Sequence, residues 1–287
     1  MSANHPDPRP DFIRASSLPG YSDCARRAAT RLFRRDILAA GYTLAETPRG
    51  IGATIGTSVH AAAALTLTEK ARTGAPAALS AVTDCAVETY RETAREGVTF
   101  DRETPATPDA ERQVVAMASA YQRTLAVEIE PLAVEERLEA ETPFGLILTG
   151  QSDVLAREPG RLRDLKTGKK RGNYKPQLGA YALLTKAHGL PVEACAEDFL
   201  QRVSMKKPQP DPVTFPHDLA AAETAALSVL RHIASDVKVF REGDPERGVL
   251  PGDPWAFQAN PSSILCSPKF CPAHGTDWCR EHMELSE

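Results

Sequence analysis

Asp153, Asp164 and Lys166 are the residues whose types and spacing promise chemistry, in Gly150-Gln151-Ser152-Asp153 and Asp164-Leu165-Lys166-Thr167-Gly168. On a strand, residues two apart project from one face, so Asp164 and Lys166 point together while Leu165 points away. Asp153 falls on the preceding predicted strand, a short turn away, and can converge on the same spot. Two carboxylates and a backbone carbonyl suit a hard cation such as Mg²⁺. An adjacent ammonium can orient a water or offset charge building on a phosphate. Each piece alone reads better as a surface Asp–Lys pair at a strand end, and Leu162 shares the Asp164 face, so the set must be weighed together.

Three further residues join that set. His60 sits in Gly56-Thr57-Ser58-Val59-His60 on an Ala-rich helix, where a single histidine is more often structural than a ligand. Gln177 and Tyr181 are four apart and so stack on one helix face, although Tyr181 reads equally as core. Glu135, in the strand before Asp153, is expected at a solvated position, with an auxiliary carboxylate as the second reading.

The elements that must carry these residues change period midway. Ser22 to Ala40, Ala53 to Thr73, a stretch opened by Pro76 and closed by Gly97, and one opened by Pro108 all read as helices. Leu132 to Thr142 and Gly145 to Leu155 then read as a hairpin turning at Pro143-Phe144-Gly145, with a third strand over Arg161 to Lys166. Tyr174 to His188 is a predicted helix, Cys195 to Ser204 a strand and Leu219 to Phe240 a long helix. From Gly243 the chain is rich in Gly, Pro and Cys, and such a tail needs something other than a core to order it.

The chain has 287 residues, 42% hydrophobic and 25% charged, enough for one large or two small domains. No stretch approaches the roughly 18 apolar residues of a membrane span, and the N-terminus has no apolar run, so a cytoplasmic protein without membrane contact is expected. The formal net charge of -4 does not advertise a nucleic-acid partner, yet its distribution does. Lys169, Lys170, Arg171 and Lys175 follow the acidic strand. Arg26, Arg27, Arg31, Arg34 and Arg35 decorate the first helix, and Arg202, Lys206 and Lys207 end the fourth strand. Together they suggest a channel that tracks phosphates. No base-reading motif is visible, so binding independent of sequence is expected.

Cys266, Cys271 and Cys279 lie in the irregular tail and Cys24 at the start of the first helix. Clustered cysteines in a chain without an export signal suggest a metal site rather than disulfides. Either an iron–sulfur cluster or Zn²⁺ fits. A Cys266, Cys271, His274, Cys279 zinc site would be self-contained but leaves Cys24 unexplained. Cys85 and Cys195 read as small buried hydrophobes.

Taken in order, G-x-x-V-H, G-x-x-D, D-x-K-T-G and Q-x-x-x-Y resemble the RecB-type nucleases of the PD-(D/E)xK superfamily, from about Cys24 to Cys279. The resemblance implies an α/β, restriction-endonuclease-like core, a small mixed central sheet flanked by helices, with N-terminal helical additions and an irregular C-terminal Fe–S segment. It implies that His60, Asp153, Asp164 and the Leu165 carbonyl bind Mg²⁺ or Mn²⁺, that Lys166 is catalytic, and that Gln177 and Tyr181 support the site or touch DNA. One subgroup, similar to phage-type exonucleases, holds a [4Fe–4S] cluster on one N-terminal and three C-terminal cysteines, the layout of Cys24, Cys266, Cys271 and Cys279. The gap before Cys279 is wider here than in many relatives.

The implied organisation is a disordered arm over 1–16, a helical region over 17–130, the nuclease core over 131–242 and a cluster-binding segment over 243–287. The implied substrate is DNA, single-stranded or duplex ends, and a helicase or single-strand annealing protein is an implied partner. The implied setting is recombination, repair or phage replication. Two alternatives remain open on the residues: a structure-specific or flap endonuclease, and a non-catalytic DNA-binding protein with a zinc-stapled tail.

Overall fold

The computed structural model describes residues 11–157 and 159–279. Residues 1–10 of the expected arm lie outside the described residues. Its remainder is ordered, because β1 (Phe12–Arg14) pairs in parallel with β4 (Ile147–Gln151) and Ile13 is fully buried. The single helix expected over 22–40 is three short ones, α1 (Leu18–Asp23), α2 (Ala25–Leu32) and α3 (Arg34–Ala39). It breaks at Cys24 and Phe33, whose backbones leave helical values at φ -155° and φ -121°.

The helical layer follows. α4 (Ile51–Thr73) ends in a left-handed Gly74 cap, and α5 (Leu79–Thr93) starts three residues past Pro76. α6 (Thr107–Arg123) has proline in its first turn, and the short α7 (Leu125–Glu128) completes the layer. α4 is long and apolar enough to cross a membrane, against the expectation that no stretch comes near. Its apolar residues Ile51, Ile55, Val59 and Leu67 are instead buried with α5 and α6.

The strands form two sheets where one was expected. β2 (Pro131–Val134), β5 (Val154–Ala156), β6 (Arg161–Lys166), β7 (Ala194–Phe199) and β8 (Val213–His217) form a mixed sheet in that order. β1, β4 and β3 (Arg137–Glu141) form the other. The predicted hairpin is therefore torn at its middle, where Glu135 takes φ 50° and Ser152-Asp153 separates β4 from β5. Only the β6–β7 pairing in the larger sheet is parallel, and α8 (Lys175–Ala187) supplies the crossover it requires.

A core lies on each face of the larger sheet. Leu155, Leu162 and Cys195 pack with α1, α2, α8 and α9 (Leu219–Glu242) in the first core. Val154, Ala156 and Leu165 pack with α4, α5 and α6 in the second. Burial on both faces is why Leu162 to Leu165 of β6 are buried in succession, with Leu162 in one core and Leu165 in the other, and simple alternation fails. The tail is ordered by joining the first core: Phe257 and Trp278 are fully buried in it, and Trp278 meets Phe240 and Tyr42 edge-on.

Within the sheet, Arg163 and Asp198 form a buried pair, with Nε and Nη2 each 2.7 Å from a carboxylate oxygen, and Thr214 hydrogen-bonds both. Removing one partner leaves the other charge stranded at low dielectric, so Asp198→Ala should lower unfolding free energy by about 3–5 kcal/mol. Urea denaturation reads this directly, and a loss below about 1 kcal/mol would contradict the assignment of the pair as a buried one.

Candidate active site

Four separate segments deliver the predicted residues to one cleft edge. His60 comes from the third turn of α4, Asp153 from the link into β5, Asp164 and Lys166 from β6, and Gln177 and Tyr181 from α8. Two glycines of the motifs make the convergence possible. A Cβ on Gly56 would stand 2.9 Å from Thr167 Oγ1, so α4 seats against the end of β6 only without a side chain there. A Cβ on Gly150 would stand 2.8 Å from Leu184 Cδ1 and 2.9 Å from Tyr181 Cε1, so β4 likewise admits α8. The motifs thus interlock physically as well as in order.

His60 Nδ1 lies 2.8 Å from Asp153 Oδ1, and the Leu165 amide donates to Asp153 Oδ2 at 2.5 Å. Asp164 Oδ2 is 2.6 Å from Lys166 Nζ and is otherwise unbonded although buried. Lys166 Nζ also donates to Gln177 Oε1 at 3.0 Å and lies 4.4 Å from the Tyr174 ring centre. Gln177 Nε2 donates in turn to the Tyr181 hydroxyl at 2.9 Å. Lys166 is therefore held from three sides.

Glu135 corrects the sequence reading, which put it at a solvated position. It is half-buried at the corner between β2 and β3, and its amide donates to the Asp153 carbonyl at 3.1 Å. Among the described residues, His60, Glu135 and Asp153 are the group whose ligand atoms all fall within 4.8 Å of one another. Asp164 stands outside that group because its carboxylate is turned to Lys166. Leu165 reaches Asp153 through its N–H.

The electrostatics are those of crowded acids wanting a cation. Burial pushes the Asp164 carboxyl up to about 6, with Asp153 adding to the rise and Lys166 opposing it. Burial and the Asp153 charge also raise Glu135. Asp153 is disfavoured as a charge by burial, but His60, Lys166 and the Leu165 amide outweigh that and hold it below its ordinary value. Burial alone would lower Lys166, and Asp164 reverses the shift. A divalent ion fits this donor set, because it relieves the repulsion between the buried carboxylates.

The basic residues divide into two kinds. Lys169 is paired with Asp101 and Glu103, and Arg171 is forked onto Glu197 at 3.0 and 3.1 Å while lying 3.5 Å over the Phe215 ring centre. Lys170 is exposed and Lys175 half-buried. Arg26, Arg27 and Arg202 do not face solvent as expected. Arg26 donates to the Phe257 carbonyl, Arg27 to Ser263 and Asp23, and Arg202 to Asp101. Arginine's several donors let each of them bridge two segments from a buried position.

The four cysteines singled out in the sequence line one cavity, together with Arg27, Ala273 and the 259–261 stretch, and His274 does not contribute to it. None of the four is in a disulfide. Burial raises the Cys266 and Cys271 thiols, and proximity to Cys24 raises both further.

Residues 15–279 match the profile described as the PD-(D/E)XK nuclease superfamily. No curated protein matches the chain. Among solved structures, the fold is similar to that of a Eubacterium rectale protein described as a "putative exonuclease", with 12% identity, TM-score 0.55, and 89% of this chain and 87% of that one covered. A second structure, described as SSO0001, gives 12% identity and TM-score 0.32 over 79% and 78% of the two chains. At such identity the first likeness speaks for the fold alone.

Proposed function

The chain belongs to the PD-(D/E)XK nuclease superfamily and is a nuclease that hydrolyses phosphodiester bonds; from that premise we propose that it is a divalent-metal-dependent DNA exonuclease of RecB type. The observation that carries this reading is the meeting of His60, Asp153, Asp164 and Lys166 with Glu135 at one buried edge. In it, His60, Asp153, Glu135 and Asp164 hold Mg²⁺ or Mn²⁺. When bound, such an ion lowers the pKa of a water and neutralises charge on the phosphate. Lys166, kept protonated by Asp164, stabilises negative charge building on the phosphoryl oxygens. Gln177 aims the ammonium and Tyr181 aims Gln177, so these two are positioning residues.

The absence of any base-reading motif favours attack from ends over cleavage at chosen sequences. With Mn²⁺, end-labelled linear DNA should be degraded while covalently closed circles of the same sequence persist. Equal loss of circles would replace this reading with the structure-specific endonuclease.

The same reading gives Cys24, Cys266, Cys271 and Cys279 a structural [4Fe–4S] cluster. Four thiols around one cavity, with burial raising those of Cys266 and Cys271, form a donor set that a cationic group would ionise. The cavity takes in Cys24 and leaves out His274, which favours a four-cysteine group over the Cys₃His zinc site. On this reading the protein is cytoplasmic and acts on DNA ends in recombination, repair or phage replication beside a helicase or annealing protein.

A further inference from the structure

We propose that a basic groove beside the active site is a track for single-stranded DNA, in which Phe270 stacks an unpaired base. The inference rests on the nuclease reading for its substrate and goes beyond it in naming strandedness and a specificity residue. Two adjoining cavities of about 530 and 550 Å³ share Lys169 and Arg202. Arg102, Lys170, Lys206 and Lys207 line the far end of one. Arg31, Arg49, Lys269 and Phe270 line the other, against the first turn of α4.

The charge is concentrated well beyond what the whole chain would give. Nine lysines and arginines face two acids, Asp101 and Glu103, along this groove, in a chain whose formal net charge is -4. Both acids are already consumed by Lys169 and Arg202. Arg31, Arg102, Lys170, Lys206 and Lys207 are exposed and have no acidic partner among the described residues. A polyanion satisfies that surplus, and a string of phosphates matches its length better than a single anion does.

The groove also leads to the site. The Arg202 amide donates to the Gly168 carbonyl at 3.0 Å, two residues beyond Lys166, and the α4 turn that lines the groove carries His60 further along the same helix. Phe270 supplies the strandedness. Its ring is 41% exposed, belongs to neither hydrophobic core, and has the Lys269 ammonium 5.5 Å from its centre. An exposed aromatic among cations is a stacking platform for any base, and only an unpaired strand offers a free base face there. A duplex would present phosphates and hide its bases.

Fluorescence anisotropy with the full chain as purified, in EDTA, tests this with a labelled 30-nucleotide oligo-dT and a blunt duplex of equal length. Phe270→Ala should weaken oligo-dT binding by about 5- to 100-fold, the worth of one stacked base, and change duplex binding less than about twofold. Phe270→Tyr, which keeps the ring, should restore oligo-dT binding. The Lys206→Ala, Lys207→Ala double variant should lower the slope of log affinity against log salt by about 1.4, two phosphate contacts on a single strand. Unchanged oligo-dT binding in both variants, or equal losses on duplex and single strand, overturns the groove. Cleavage by the unmodified protein with Mn²⁺ is measured separately. Cleavage with a silent groove sinks only this inference; groove binding without cleavage sinks only the enzymatic reading.

Discussion

Asp164→Ala should reduce Mn²⁺-supported cleavage by on the order of 10⁴-fold while leaving DNA affinity in EDTA within about threefold, since removing one member of a cooperating catalytic set costs nearly as much as removing all. The asymmetry follows from where the side chain sits. Asp164 is 2% exposed and faces Lys166, so its loss unseats both the metal and the ammonium. The basic residues that would bind phosphate lie on other segments and are untouched. Single-turnover cleavage and anisotropy on the same preparations separate the two effects. Retention of more than a tenth of the activity would remove Asp164 from the centre of the reaction.

The second large effect concerns the tail. On the proposed iron–sulfur assignment, Cys271→Ser should abolish the brown colour and broad charge-transfer absorbance that such a cluster would give, and lower Tm by about 10 °C, at roughly 2 °C per kcal/mol for a chain of this size and a loss of several kcal/mol. Activity should fall with it. The loss stops short of unfolding because Trp278 and Phe257 still anchor the segment, each worth about 3–5 kcal/mol when truncated and both fully buried. A colourless wild-type protein holding one zinc per chain would reject the iron–sulfur assignment. A colourless variant of unaltered Tm and activity would reject the structural role.

The site was readable from sequence wherever function depends on local spacing. Asp164 and Lys166 share a strand face, Gln177 and Tyr181 share a helix face, and both pairs meet as their spacing implies. Glu135 was hidden because it sits at positive φ, a corner where strand alternation has no meaning. The same corner hid the split of one expected sheet into two, since 132–142 reads as an unbroken strand and nothing in its composition marks the tear. β8 escaped because Pro216 lies in its middle, which argues against a strand; here β8 is an edge, and an edge tolerates the missing donor. The inward turn of Arg26, Arg27 and Arg202 was unreadable because Phe257, Ser263 and Thr104, which they bond, lie 98 to 236 residues away, the first two in a tail without periodicity.

The clasping of chain start to chain finish has a temporal consequence. The Trp278 indole bonds the Arg26 carbonyl across 252 positions, and Arg241 forks onto Asp11 across 230. Joining points so remote costs about 5 kcal/mol of loop entropy before any contact repays it, and such contacts form late. A nascent chain emerging from the ribosome therefore waits for Trp278 before the layer that holds Arg26 can seal. The core shared by α1, α2, α8, α9 and Trp278 closes only after that residue is made, later than the helical layer of α4 to α6, whose contacts are nearer in sequence.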